Sequence, residues 1–194
     1  MKEKKRIKIV AYNPLWSQQF EALKTVLLKH LKSEFIQIEH VGSTSVKGLK
    51  AKPIIDLDII IKKGNVEMPT IIAGLEALGY QHLGNLGISG RDAFKRLEDT
   101  TPQDGSNKVW FKHNLYVCEE DSIGLQNHLI FRNYLRNHPQ KVLEYGAIKE
   151  QLAMEYPHNI DLYIDGKTDF IIDILSKAGL KEEDQKRIDS ENRV

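Results

Sequence analysis

The run Pro53-Ile-Ile-Asp-Leu-Asp-Ile-Ile-Ile61 constrains this chain more than any other segment. Its β-branched, nearly continuous apolar character predicts a central strand covered by other structure. Yet two carboxylates, Asp56 and Asp58, sit inside it. Side chains alternate along a strand, so both point to one face, roughly 6–7 Å apart. Either they lie on the solvated face of an edge strand, or a cation neutralises the two like charges. The flanking apolar residues favour the cation, and Mg2+, a hard ion that takes oxygen ligands, is the natural candidate.

The remaining segments arrange themselves around that strand. Residues 15–33 carry Leu15, Trp16, Phe20, Leu23, Val26, Leu27 and Leu31 at helical spacing after an Asn13-Pro14 start signal. Phe35 to Val41 alternates and predicts a strand. Pro69 to Leu78 predicts a helix that stops at Gly79. Gly84, Gly87 and Gly90 then lead into a short charged segment, Arg91 to Glu98, and the turn-forming Thr101 to Asn107 precedes a strand over Val109 to Val117. From Asp121 onward, residues 122–138, 139–156 and 161–178 predict three amphipathic helices. The tail from Lys181 is charged and expected to fray. The expected organisation is an α/β core over residues 1–120, a C-terminal helical segment packed on it over 121–180, and a charged tail over 181–194.

Composition removes several classes. With 41% hydrophobic and 28% charged residues the chain can bury a core. Lys plus Arg total 28 against 27 for Asp plus Glu, so there is no broad basic field for extended nucleic acid, although a local basic site is compatible with that balance. One cysteine, Cys118, can form no internal disulfide and cannot alone build a zinc site. The apolar stretch after the basic start runs only from Ile7 to Ala11 and is broken by Lys8, and nowhere do about 18 apolar residues run together. A soluble, cytoplasmic protein with no membrane partner is expected.

A second chemical signal follows the strand that ends His40-Val41. In Gly42-Ser43-Thr44-Ser45, glycine allows close backbone approach, and free N–H groups beside hydroxyls suit phosphate oxygens; a Ser/Thr helix cap produces the same string. Neither a Gly-x4-Gly-Lys-Ser/Thr loop nor a Gly-x-Gly-x-x-Gly turn is present. Gly42-Ser43, then twelve residues, then Asp56-Leu-Asp58 resembles the signature of the polymerase-β-like nucleotidyltransferase superfamily. The wider set narrows it: Ile38-Glu-His-Val-Gly-Ser-Thr-Ser-Val46, Lys52-Pro-Ile-Ile-Asp-Leu-Asp58, Gly90-Arg91, Phe131-Arg132-x-Tyr134-Leu135 and Gly166-Lys167-x-x-Phe170 together resemble the GrpB family over roughly residues 10–175.

That resemblance implies an α/β (α+β) fold: a small mixed sheet of nucleotidyltransferase type flanked by helices, with a C-terminal helical segment. It implies that Gly42 and Ser43, with Thr44 and Ser45, hold a triphosphate and that Asp56 and Asp58 hold Mg2+. Related enzymes often place a third carboxylate on a later strand, whereas Val109 to Val117 offers no acid, and Asp121, Glu119 and Glu120 lie beyond it. His113 is either a general base near neutral pH or a hydrogen-bonded structural histidine. The family's Phe-Arg-Asp-Tyr-Leu has Asn133 in place of the acid here.

The cations divide similarly. Lys52 either reaches a phosphate or is a solvated residue at the start of the strand. Arg91, in a loop after Gly90, suits an anion because guanidinium offers two parallel donors. His128, Arg132 and Arg136 recur every four residues and share one helix face, which turns either to the cleft or to solvent. Lys149 and Lys167 are phosphate ligands by resemblance, and His40 is expected to pack under the site. The leading expectation is Mg2+-dependent transfer of a nucleotide from an NTP to an unidentified acceptor. The alternative is a non-catalytic module binding a nucleotide or a CoA-type phosphate ligand, since relatives are fused to dephospho-CoA kinase.

Overall fold

The structure is a computed structural model in which residues 6–31, 37–64 and 68–193 are described. Five strands form one mixed sheet: β1 (Gln37–Val41), β2 (Ile55–Ile61), β3 (Tyr80–His82), β4 (Arg91–Arg96) and β5 (His113–Glu119), in the order β1-β2-β5-β4-β3. Only the β2–β5 pair is parallel; the others are antiparallel. The predicted strand is thus interior, flanked on both sides by hydrogen-bonded partners. Its odd-numbered residues Ile55, Leu57, Ile59 and Ile61 are buried against two helices. These are α1 (Leu15–Leu31) and α2 (Met68–Ala77). In α1 the buried stripe runs Trp16, Phe20, Leu23, Leu27, Leu31, with the Asn13 side chain accepting the Leu15 N–H at 3.0 Å at its start. Residues 32–36, which include the ends of the predicted first helix and strand, lie outside the described residues.

The even-numbered face of β2 is partly covered by α3 (Ile123–Asn137), which contacts β1 and β5, and by the helices that follow it: α4 (Pro139–Glu155), α5 (Ile160–Asp165), α6 (Thr168–Lys177) and α7 (Glu182–Asn192). Ser122 caps α3 through the Leu125 N–H. Val46 and Leu49, from the segment after β1, join Leu135, Val142, Tyr145, Phe170 and Ile174 in a second apolar cluster. The helices are therefore fastened to the loop between β1 and β2, the loop that carries Gly42-Ser43.

Four expectations are corrected. The strand predicted over Val109–Val117 begins at His113, because Trp110 N–H bonds to Asp99 O and its indole N–H to Pro102 O, tying that stretch to the preceding turn. The charged segment Arg91–Glu98 contains an internal strand. The helix predicted over 161–178 is two helices, divided at Gly166, which packs so closely on Leu152 that a Cβ would fall 2.4 Å from its methyl group. The charged tail is not frayed: α7 buries Ile188 against Leu175 and Leu180, and Arg193 bonds the carboxylates of Asp165, Asp169 and Asp189. Among the described residues no helix is long and apolar enough to cross a membrane.

Candidate functional site

Strand register decides which groups meet. Val41, Asp56 and Asn114 form one cross-strand row on the helix-covered face; Glu39, Asp58, Tyr116 and Ala93 form the next. Asp58 is completely buried. Its Oδ2 accepts from His128 Nδ1 at 2.7 Å, whereas its Oδ1 is buried with no hydrogen-bond partner among the described residues. Asp56 Oδ1 accepts from Asn114 Nδ2 at 2.8 Å. Burial raises the Asp56 carboxyl above its ordinary range, against the opposing pull of that amide and of neighbouring cations. Burial alone would push His128 down, but the Asp58 carboxylate more than reverses this and its pKa is raised.

Gly42 explains why the turn can lie so close. Its φ of 66° and ψ of −173° belong to a region only glycine occupies readily, and a Cβ there would sit 2.2 Å from Asp56 Oδ2. The three residues after it form a short 3-10 turn in which only one hydroxyl turns to the cavity. Ser43 does so. Thr44 is buried and bonds His40 Nε2 at 3.0 Å, and Ser45 Oγ donates to Gly42 O at 2.7 Å, so both hold the turn's shape. His40 stacks on Phe20 under the turn, as expected, and burial lowers its pKa to about 4.

Beside the aspartates opens a cavity of about 260 Å³, walled on one side by Ser43, Lys52, Lys149 and Lys167. Lys149 Nζ donates to Ser43 Oγ at 2.9 Å and also to Lys50 O. Its ammonium lies over the Tyr145 ring, while Lys52 and Lys167 both lie over Tyr163. Burial, then the neighbouring lysines, pushes Lys149 down to about 6; the same causes bring Lys167 to about 8 and lower Lys52. Three lysines thus converge on one polar recess.

On α3, His128 and Arg132 turn inward, whereas Arg136 stays exposed. His128 reaches Asp58. Arg132 Nη1 donates to Glu39 Oε2 at 2.6 Å and to His40 O at 2.9 Å, and Arg136 donates to Ser45 O. Arg132 lines the cavity, but its donors are engaged with protein oxygens and it serves there to fix β1 and the turn to α3.

Two expected residues are not brought to this cavity. His113 lies on the opposite face of β5, in the core, bonded to Tyr80 Oη at 2.7 Å and Phe111 O at 2.8 Å, with its pKa lowered by burial to about 4. Of the two readings open for it, this placement matches the structural one. Arg91 stands on the aspartates' face but beyond Tyr116, with its guanidinium 4.7 Å from that ring, and borders a different cleft. Sequence reasoning did not single out Glu39, Tyr116, Tyr145 or Tyr163. Alternation from Asn114 would have reached Tyr116, and helical spacing from Lys149 would have reached Tyr145; nothing local pointed to Tyr163.

The donor set suits Mg2+. Two carboxylates stand on one face, and one has an orphaned buried oxygen. Among the described residues no group of three or more His, Cys, Asp and Glu is assembled for a metal. Magnesium is commonly held by one or two carboxylates, with substrate phosphates and water completing its shell.

A five-stranded mixed sheet carries paired aspartates on an interior strand, with a Gly-Ser turn before them and helices closing the same face, the arrangement that the sequence resemblance implies. The chain belongs to the GrpB family, whose sequence profile, described as GrpB protein, matches residues 6–177. It is similar to the crystal structure of conserved protein GrpB from Enterococcus faecalis, at 34% identity and a TM-score of 0.73, over 88% of this chain and 96% of that one. The UPF0157 protein YqkA of Bacillus subtilis is 36% identical over 169 residues, 87% of this chain; the match spans 46% of that relative's length. Cid1 poly(U) polymerase in its MgGTP-bound form superposes over 73% of this chain and 43% of its own at 16% identity and a TM-score of 0.48, too slight a likeness to carry an argument about the site.

Proposed function

We propose that this chain is a Mg2+-dependent nucleotidyltransferase that moves a nucleoside monophosphate from an NTP to an acceptor hydroxyl. The carrying observation is Asp58 Oδ1, a buried carboxylate oxygen without a partner among the described residues, on the same strand face as Asp56, which lines a cavity together with three lysines. A buried carboxylate oxygen left without a partner is costly, and crowding three lysines into one recess disfavours their charged forms; a magnesium–triphosphate complex satisfies both. Asp56 and Asp58 would hold the metal, which when bound supplies positive charge against the phosphate oxygens. Ser43, Lys149, Lys167 and Lys52 bind the β- and γ-phosphates and receive the leaving pyrophosphate. The acceptor oxygen bonds to the α-phosphorus as the bridge to the β-phosphorus breaks, and pyrophosphate keeps that electron pair. The Asn114 amide, in the row of Asp56, cannot take the hydroxyl proton, which passes to water.

Calorimetric titration of each NTP, with and without Mg2+, tests this on the wild type, Asp56→Asn and Asp58→Asn. Metal-dependent binding that both variants lose supports the proposal, and pyrophosphate release on adding acceptor completes it. Binding indifferent to metal or to the aspartates overturns it. Asn114 also favours a second reading, binding without turnover, because β5 brings no acid to this face. Metal-dependent binding of an NTP or of dephospho-CoA, with no pyrophosphate released across an acceptor panel, identifies that outcome.

A further inference from the structure

Arg91 is the cation the nucleotide cavity leaves unused. Its Nε is buried without a hydrogen-bond partner among the described residues, and its guanidinium is stacked on Tyr116. Gly124, in the first turn of α3, lies against the Arg91 stem, where a Cβ would stand 3.5 Å from Arg91 Cδ. The side chain is thus positioned by packing on both sides while its Nε has no partner among the described residues. It borders a cleft of about 590 Å³ over β4 and β5, with Lys112 and Asn114 on the same lining and Leu83 and Leu86 contributing exposed apolar surface. Two acidic groups also border the cleft: Asp99 is paired with Arg96, and Glu98 accepts from Thr100. Ala93, in the row of Tyr116 and Asp58, is buried at the floor of the cleft.

We infer that this cleft is the acceptor subsite and that it takes a small acceptor carrying an oxyanion beside an apolar or planar group. Asn114 lines both cavities and is bonded to Asp56, so the two recesses adjoin at Asn114, beside that aspartate. In-line displacement at phosphorus sets the entering oxygen opposite the leaving one. With pyrophosphate on the lysine side, the acceptor enters from the β4–β5 side. The assignment as an acceptor subsite and the direction of attack rest on the transferase reading; the anion site itself stands on Arg91 and its cleft.

The test uses the 15N-labelled full chain without nucleotide or metal, titrated with phenyl phosphate, benzoate and benzyl alcohol. The expected result is a set of amide shifts across residues 83–97 and 113–117, resolved residue by residue from any shifts at Gly42–Ser45. One of the two anions should bind about tenfold or more tightly than the neutral alcohol, and which one distinguishes phosphate from carboxylate. Arg91→Gln removes that advantage, and Arg91→Lys, which keeps the charge and loses the fork, retains part of it. Absence of shifts on β4–β5, equal binding of benzyl alcohol, or unchanged affinity in both variants overturns the inference. Because no nucleotide is present, such a failure leaves the nucleotide reading standing; failed NTP titrations alongside these shifts would instead refute the transferase and leave the anion cleft.

Discussion

Replacing Gly42 by alanine perturbs the turn and the aspartate in separable ways. Placing a Cβ at φ 66°, ψ −173° costs of order 1–3 kcal/mol in backbone strain alone. The new methyl group would also lie 2.2 Å from Asp56 Oδ2 and 2.9 Å from its Cγ, so the carboxylate must swing away or the turn must shift. Swinging away breaks the 2.8 Å bond from Asn114, a hydrogen bond to a charged group worth about 1.5–3 kcal/mol. The sum is about 3–6 kcal/mol. Gly48 provides the control: its φ is 82° and nothing lies within 4 Å of its Cβ position, so Gly48→Ala pays the backbone cost only, about 1–2 kcal/mol. Urea unfolding followed through Trp16 and Trp110, both buried, reads the two costs. Adding Asp56→Ala removes the carboxylate and leaves only its Cβ, 3.1 Å away, so Gly42→Ala should then cost little beyond its backbone strain of about 1–3 kcal/mol. The reasoning is refuted if Gly42→Ala and Gly48→Ala destabilise equally, or if Gly42→Ala leaves magnesium–NTP affinity unchanged.

Other expectations follow from the same geometry. Lys149, held down to about 6, and Lys167, held down to about 8, regain charge beside a triphosphate, so binding near pH 7–8 takes up protons and weakens toward about pH 9; calorimetry in buffers of different ionisation enthalpy measures the uptake, and zero uptake refutes it. In the free protein these depressed lysines oppose folding. Their penalty is full below about pH 6 and is relieved as pH rises toward the ordinary lysine value, so the unfolding free energy of Lys149→Met should lose that slope. Asn114→Asp adds a like charge beside Asp56: the thermal midpoint should fall without metal and recover with Mg2+ more than the wild type does, while turnover rises roughly 100-fold if a base was missing. His113→Phe should cost about 1–3 kcal/mol by orphaning the Tyr80 hydroxyl, with NTP affinity within twofold of wild type.

The aspartate pair was legible because period-two alternation is local: Asp56 and Asp58 must share a face whatever surrounds them. The Gly-Ser turn was legible by adjacency to a strand end, yet the division of labour within it was not, since Thr44 and Ser45 differ from Ser43 only in where their neighbours lie. Which of the two readings His113 takes was not legible, because parity on β5 is fixed by pairing with a strand 58 residues earlier in the chain, and that register is tertiary. Arg91 read as a loop residue because a short strand of charged residues has no apolar signature. In α7 the single buried Ile188 was hidden in a charged run.

The bonds that assemble the candidate site span very different stretches of chain. Asn114 to Asp56 closes 58 residues, His128 to Asp58 closes 70, Arg132 to Glu39 closes 93, and Lys149 to Ser43 closes 106. Each closure costs entropy before any contact rewards it, so such pairings form late in folding. Neither the sheet nor the helices alone can hold a triphosphate, and a partly folded chain has no half-strength version of the site. A ligand bound there would favour the native state over every intermediate at once, so occupancy would slow global unfolding more than it stiffens any single element.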